Sequence, residues 1–86
     1  MNADVNVDFI RRELQTGITM LNLARTEREV PDPEAAFRAI TNARKALDGA
    51  KRFLPTLDNV GEGTRSDLRR GITELEKAIH HYDNAP

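Results

Sequence analysis

The chain contains no cysteine and no tryptophan, and only 5% of its residues are aromatic. The absence of cysteine excludes a disulfide framework and metal sites built on thiolates. No apolar run approaches the roughly 20 residues that a membrane-spanning helix requires. The opening residues include neither a basic segment nor an apolar stretch, so they do not resemble a secretory signal. We therefore expect a cytoplasmic protein that does not associate with membranes.

An excess of charge of one sign is also lacking. The chain has 13 basic and 14 acidic residues, and its formal net charge is -1. Such a balance gives no general reason to expect nucleic acid or anionic lipid as a partner. The length of 86 residues, with 38% hydrophobic and 31% charged residues, predicts one globular domain that spans residues 1–86.

Two breaks interrupt an otherwise helical pattern. The first is Val30–Pro33, which holds two prolines, and the second runs from Pro55 to Gly63. Both are short enough to connect neighbouring helices in a small bundle. The pattern predicts an all-α fold, an up-down-up antiparallel three-helix bundle with heptad-like, alanine-rich packing seams. The predicted helices cover residues 7–29, 33–54 and 65–83.

Capping residues mark two of the predicted helix starts. Asp32 is a good N-cap, with Pro33 at the first helical position and Glu34 in the first turn. Thr64 begins a pattern that resembles a capping box, and Ser66 is a competing cap two residues later. These signals place the second helix start firmly and leave two choices for the third.

Heptad spacing is clearest in the second helix. Ala36, Ala43 and Ala50 recur every seven residues, and Ile40, Leu47 and Leu54 do the same. This spacing is typical of coiled-coil-like packing, and alanine lets a neighbouring helix approach closely. The predicted core comprises Ile10, Leu14, Ile18, Leu21, Ala36, Ile40, Ala43, Leu47, Ala50, Leu54, Leu68, Ile72, Leu75, Ile79 and Tyr82.

The first and third helices share a sequence pattern. Residues 11–24 and residues 65–78 are identical at seven of fourteen aligned positions. In an up-down-up bundle these two helices run parallel, so they can present equivalent faces to the middle helix. Duplication and convergence on one packing pattern both explain the likeness.

The apolar arc of the first helix is wider than one bundle requires. Phe9, Met20 and Leu23 extend the arc to about 220 degrees. We call these three residues the interaction strip, and we expect it to dock on a second copy of the chain or on a partner helix. A two-fold homodimer is the simplest form, because symmetric dimers are the commonest oligomers.

An intrachain alternative weighs equally against this hypothesis. Phe53 and the second loop, with Leu57 and Val60, can instead fold over the interaction strip within one chain. The function that the sequence favours is a non-enzymatic protein-interaction or structural module.

The alternative function rests on the middle helix. The residues of this basic face are Arg38, Arg44, Lys45, Lys51 and Arg52. Rows of cations can contact phosphates, so a nucleic-acid-associated regulatory role is the second hypothesis. A solvated or ion-paired surface is the competing interpretation, and it makes nucleic acid an unexpected partner.

Catalytic and metal-binding patterns are weak. Glu76 and His80 are four residues apart on one predicted helix face, but two ligands make a poor metal site. No cysteine nucleophile, phosphate-binding loop or pocket-forming carboxylate pair is evident. We therefore predict no enzymatic activity, no metal, no cofactor and no small-molecule substrate.

Overall fold

The computed structural model describes residues 3–29 and 32–85. The helices are α1 (Ala3–Glu29), α2 (Pro33–Phe53) and α3 (Glu62–Asn84), and a short 3-10 turn covers Leu54–Thr56. These described ranges contain no β-strand. The predicted all-α three-helix fold is confirmed. Val30 and Pro31, from the first predicted break, lie outside the described residues.

The three helices form an elongated bundle of 46 × 20 × 15 Å. Between α1 and α2, Phe9 contacts Phe53, and Glu13 lies beside Gly49. The salt bridges between α2 and α3 are Arg44–Asp83 and Lys51–Glu76. In each of these two helix pairs, the contacting residue numbers rise along one helix as they fall along the other. Neighbouring helices of an up-down-up bundle have this antiparallel relation. The up-down-up order and the heptad seams themselves stay predictions.

Asp32 caps α2 as predicted. Its side-chain Oδ1 accepts a hydrogen bond from the backbone N–H of Ala35 at 3.1 Å. Pro33 occupies the first helical position and Glu34 lies in the first turn. The cap satisfies one of the backbone donors that a helix start leaves without an intrahelical partner, so α2 begins sharply after the first break.

Replacing Asp32 by alanine should therefore lower the free energy of unfolding by about 1 kcal/mol. The matched control is Asp32→Asn, because the asparagine carbonyl can accept the same hydrogen bond and should keep most of the stability. Urea denaturation followed by circular dichroism measures both variants. An alanine variant as stable as the wild type would contradict the capping role.

The predicted start of α3 is wrong. The helix begins at Glu62 with Gly61 as its N-cap, so Thr64 and Ser66 lie inside the first turns and cap nothing. Gly61 accepts a backbone hydrogen bond from Arg65 at 3.0 Å. Glu62 supplies a carboxylate where the helix dipole favours negative charge. The first turn therefore forms one turn earlier than the hydroxyl residues suggested.

The second loop is anchored from α3. The Arg65 guanidinium donates to the backbone oxygens of Leu57, at 2.8 Å, and Leu54, at 3.4 Å. Leu57 is buried and belongs to the hydrophobic core. The loop between α2 and α3 is thus part of the packed structure rather than a simple connection.

In the part of the chain that the structure describes, the core consists of two hydrophobic clusters. The first contains Leu21, Ala24, Ala39, Ile40, Ala43, Leu75, Ile79 and Tyr82. The second contains Val7, Ile10, Ala50, Leu57, Leu68 and Ile72. Half-buried Leu14 and Leu47 pack against both clusters and join them. The alanines on α2 let the bundle remain thin.

Most of the predicted core is buried, but Ile18 is not. Its exposed fraction is 46%. Leu14, Leu47 and Leu54 are only half-buried. The buried hydrophobic residues that the sequence analysis did not assign to the core are Val7, Ala24, Ala39, Ala46 and Leu57.

Candidate interaction surfaces

The interaction strip is divided between packed and exposed residues. The Phe9 ring lies 4.5 Å from the Phe53 ring, centroid to centroid, with 54° between the planes. Phe9 keeps an exposed fraction of 37%, and Leu23 one of 44%. Met20 is half-buried against the first core cluster. Of the three strip residues, Leu23 is thus the most accessible to a partner.

Alanines on α2 explain why part of the strip packs within the chain. Ala39, Ala43 and Ala46 are all buried. Their small side chains let α1 approach closely, so Met20 reaches the cluster that contains Ala39 and Ala43. The intrachain contact of Phe53 with Phe9 is the one that the alternative interpretation named.

The loop residues of that alternative pack elsewhere. Leu57 belongs to the second core cluster, and Val60 packs against it, whereas Met20 packs against the first cluster. The second loop therefore closes one end of the bundle. Leu23 remains on the surface of α1.

A second apolar surface lies in a groove between α1 and α3. Its volume is about 440 Å³, and Leu14, Leu21 and Leu75 form much of its lining. The remaining residues around it are Arg11, Gln15, Ile18, Asn22, Arg25, Gly71, Glu74 and Ala78. We call this the α1–α3 groove. Sequence analysis missed it as a site, although its apolar residues were assigned to the helix seams.

Two glycines bring the walls of the groove together. A Cβ atom at Gly71 would lie 2.8 Å from Cδ1 of Leu14, and one at Gly17 would overlap Leu75. Each leucine therefore covers the backbone of the opposite helix where a side chain is missing. This reciprocal packing fixes the level of α1 against α3, with Leu14 opposite Gly71 and Gly17 opposite Leu75.

The shared pattern of α1 and α3 leads to two different environments. Ile72 is buried in the second cluster, whereas Ile18, its counterpart in the pattern, is 46% exposed at the groove. Ile72 has the second loop and α1 beside it, since its cluster includes Leu57 and Ile10. The described chain supplies no equivalent cover for Ile18.

Among the side chains that the structure describes, the most exposed large apolar one is Phe37, at 69%. It lies on α2, near its beginning, and the sequence analysis did not single it out. Single exposed apolar residues are common on protein surfaces. Phe37 alone therefore does not define a site.

Two cations of the predicted basic face are held by carboxylates of α3. Arg44 forms a two-point salt bridge with Asp83, and its Nη1–Oδ2 distance is 2.7 Å. Lys51 Nζ lies 2.8 Å from Glu76 Oε2. The hydrogen bonds to these carboxylates raise the pKa of Arg44 and of Lys51. The row formed by Arg44 and Lys51, seven residues apart, is therefore partly neutralised from α3.

The other row of the basic face, Arg38, Lys45 and Arg52, is more open. Arg52 Nε lies 3.3 Å from Asp48 Oδ2, and both groups are largely exposed. Among the residues that the structure describes, Arg38 and Lys45 form no ion pair. A phosphate would thus meet two unpaired cations rather than the five that the sequence placed on this face.

Glu76 and His80, the weak metal-ligand pair of the sequence analysis, contact different side chains. Glu76 binds Lys51, and the His80 ring nitrogens lie 3.3 and 3.4 Å from the Asn84 side-chain amide. No group of three or more histidine, cysteine, aspartate or glutamate residues suited to a metal ion occurs in ranges 3–29 and 32–85. In the same ranges, every helix is too short or too polar to cross a membrane.

Comparison of the chain with protein-family models, with curated proteins and with solved structures finds no match in any of the three. Function is therefore inferred from the surfaces of the chain itself.

Proposed function

We propose that this chain is a non-enzymatic protein-interaction module that self-associates through α1. One observation carries the proposal: α1 exposes large apolar side chains on more than one side. Phe9, Ile18 and Leu23 all lie on this helix, and each is exposed by more than a third. Exposed apolar patches are typical of sites of protein–protein contact, and these three side chains supply the apolar surface of α1 for the proposed one.

The exposure of the polar side chains supports a binding role rather than a catalytic one. No polar or charged side chain is buried anywhere in the part of the chain that the structure describes. A general acid or base acquires its shifted pKa from burial or from a charged neighbour inside a pocket. The polar side chains around the α1–α3 groove are exposed or half-exposed, so the groove offers an apolar contact surface instead.

The competing nucleic-acid role has less support. Its cations were assigned from sequence to one continuous face, but Arg44 and Lys51 bind carboxylates of α3. Each such pair lowers the number of phosphates that the surface can neutralise, and phosphate contacts dominate affinity for nucleic acid.

Self-association predicts a change of mass with concentration. In sedimentation velocity, the wild type should move from monomer to dimer as its concentration rises to the high micromolar range. The Ile18→Glu/Leu23→Glu double variant should stay monomeric, because charges replace both exposed apolar side chains. Circular dichroism should confirm that this variant remains helical.

The matched control is Thr16→Glu/Thr19→Glu, which adds the same charge at two exposed polar positions of α1. It should dimerise as the wild type does. A wild type that remains monomeric at high micromolar concentration would refute self-association.

A further inference from the structure

The α1–α3 groove is long and narrow. Its lining runs from Arg11 to Arg25 on α1, a distance of about 21 Å along the helix axis. A volume of about 440 Å³ over that length gives a mean width of about 5 Å. A helix with its side chains is about 10–12 Å across. A hydrocarbon chain is about 4 Å thick, because non-bonded carbon atoms approach one another to about 3.5–4.0 Å. The groove therefore fits one extended hydrocarbon chain more closely than it fits a helix.

The inner surface of the groove is apolar along most of this length. Leu14, Leu21 and Leu75 form much of the lining, and Ala78 adds a small side chain on α3. Ile18 lies at the edge with 46% of its surface exposed. A hydrocarbon chain in the groove would cover these side chains and remove apolar surface from water, which favours binding.

The charges around the groove are mostly positive. Arg11 and Arg25 lie on the α1 edge, and Glu74 lies on the α3 edge. Arg70 and Lys77 are one helical turn before and after Glu74, on the same side of α3. Among the described residues, neither Arg11 nor Arg25 forms an ion pair. The surroundings of the groove therefore favour an anionic ligand over a cationic one.

The two ends of the groove differ in charge. The glycine–leucine contacts between α1 and α3 join positions that are 57 or 58 apart in the sequence, so position 67 is level with the Arg11 end and position 81 with the Arg25 end. Asp67 and His81 lie seven residues before and after Glu74, and hence on the same side of α3. A carboxylate thus accompanies the Arg11 end, whereas an imidazole accompanies the Arg25 end.

The Arg25 side chain is oriented along the groove edge. Its Nη1 donates a hydrogen bond to Oδ1 of Asn22 at 3.3 Å, and Asn22 also lines the groove. The other N–H groups of the guanidinium can bind a carboxylate, and arginine does so through two parallel hydrogen bonds. Arg25 is therefore the better placed of the two groove arginines to hold an anionic head group.

We propose that the α1–α3 groove binds a free fatty acid. The carboxylate binds Arg25, and the hydrocarbon chain runs toward Arg11 over Leu21, Ile18 and Leu14. This site does not depend on the proposed self-association. Its tests therefore use the chain at low micromolar concentration.

Dodecanoate is the first probe, titrated into the ¹⁵N-labelled chain below the concentration at which it forms micelles. Amide shifts should centre on α1 and α3 at the groove. Decanoate and octanoate should bind at least about threefold more weakly for each two carbons removed, because less apolar surface is buried. Dodecanol and dodecyltrimethylammonium should bind at least about tenfold more weakly than dodecanoate, because neither can form the charge-assisted hydrogen bonds to Arg25.

Substitutions of arginine by glutamine locate the head group. Arg25→Gln should raise the dodecanoate Kd at least about fivefold, as expected for the loss of a hydrogen bond to a charged group. The matched control is Arg12→Gln, because Arg12 is exposed on α1 and does not line the groove. Arg11→Gln tests the opposite direction of the chain. Both of these variants should change Kd by less than about twofold.

Substitutions on the apolar side locate the hydrocarbon chain. Ile18→Gln should raise Kd at least about threefold, since a polar side chain then borders the chain. Leu23→Gln is its matched control, because Leu23 lies on the same helix with a similar exposed fraction but outside the groove. It should leave Kd unchanged. Circular dichroism should show both variants to be as helical as the wild type.

Each contrary outcome overturns a stated part of the proposal. A larger effect of Arg11→Gln than of Arg25→Gln overturns the direction of the chain, and equal affinity for dodecanoate and dodecanol overturns the role of Arg25. A protein that sediments with phosphatidylglycerol vesicles but shows no groove shifts with dodecanoate has a membrane-binding surface instead of a fatty-acid site. A wild type that binds dodecanoate yet remains monomeric overturns self-association alone, and one that dimerises without binding dodecanoate overturns this site alone.

Discussion

Replacing Ile10 by alanine is expected to lower the free energy of unfolding by about 2–5 kcal/mol. Ile10 is fully buried and packs in the second core cluster with residues from α1, α3 and the second loop. The substitution removes apolar atoms from water-free surroundings and leaves a cavity that this thin bundle can fill only by moving a helix. Urea denaturation at low micromolar concentration measures the loss without a contribution from dimers.

The matched control is Ile18→Ala, which makes the same chemical change on the same helix. Ile18 is 46% exposed, so this variant should lose less than about 1 kcal/mol. Equal losses for the two variants would show that Ile18 is buried in solution and that the α1–α3 groove is closed in the monomer.

A second large effect is expected at the alanine face of α2. Ala43 is fully buried in the first core cluster, where α2 meets the other helices. Ala43→Leu should overpack this contact and lower the free energy of unfolding by about 1–3 kcal/mol. The larger side chain must push a neighbouring helix outward, because the interior of a protein is close-packed. Thermal and urea denaturation both measure the change.

Lys45→Ala is the control for Ala43→Leu. Lys45 is exposed on the same helix and forms no ion pair in the described ranges, so its removal should change stability by about 0.5 kcal/mol or less. Melting temperatures that agree between the two variants would mean that the packed face of α2 has been assigned wrongly.

The parts of the fold that sequence predicts well are those with a local or periodic signal. Asp32 and Pro33 start α2 by a rule that involves only neighbouring residues, and the structure has that cap. Ala36, Ala43 and Ala50 recur with the heptad period, and all three are buried. Neither result depends on where the other helices lie, so one sequence is enough.

The start of α3 shows where local signals fail. Thr64 and Ser66 are good capping residues, yet the helix begins before them at Glu62. Arg65 holds the second loop through the backbone oxygen of Leu57, a contact across eight residues that capping rules do not describe. Leu57 is likewise buried by contacts with residues that are distant in the sequence, which local rules do not describe.

The candidate site is harder to predict because it depends on which flank of α1 each neighbour covers. Helical spacing correctly indicates that the apolar arc of α1 is wide. It does not indicate that Met20 packs toward α2 while Ile18 stays at the edge of the groove. Ile18 and Ile72 occupy equivalent positions in the shared pattern, each between glycine and threonine, yet one is exposed and the other buried, so the shared pattern does not separate them.

The reciprocal glycine–leucine packing between α1 and α3 also constrains how this sequence can diverge. Leu14 fills the space that Gly71 leaves, and Leu75 fills the space beside Gly17. A side chain added at either glycine requires a smaller residue opposite. The side-chain volumes at positions 14 and 71 should therefore vary in opposite directions, and so should those at positions 17 and 75. Distant relatives of this chain should thus be recognisable by covariation at these two pairs, even where residue identity has been lost.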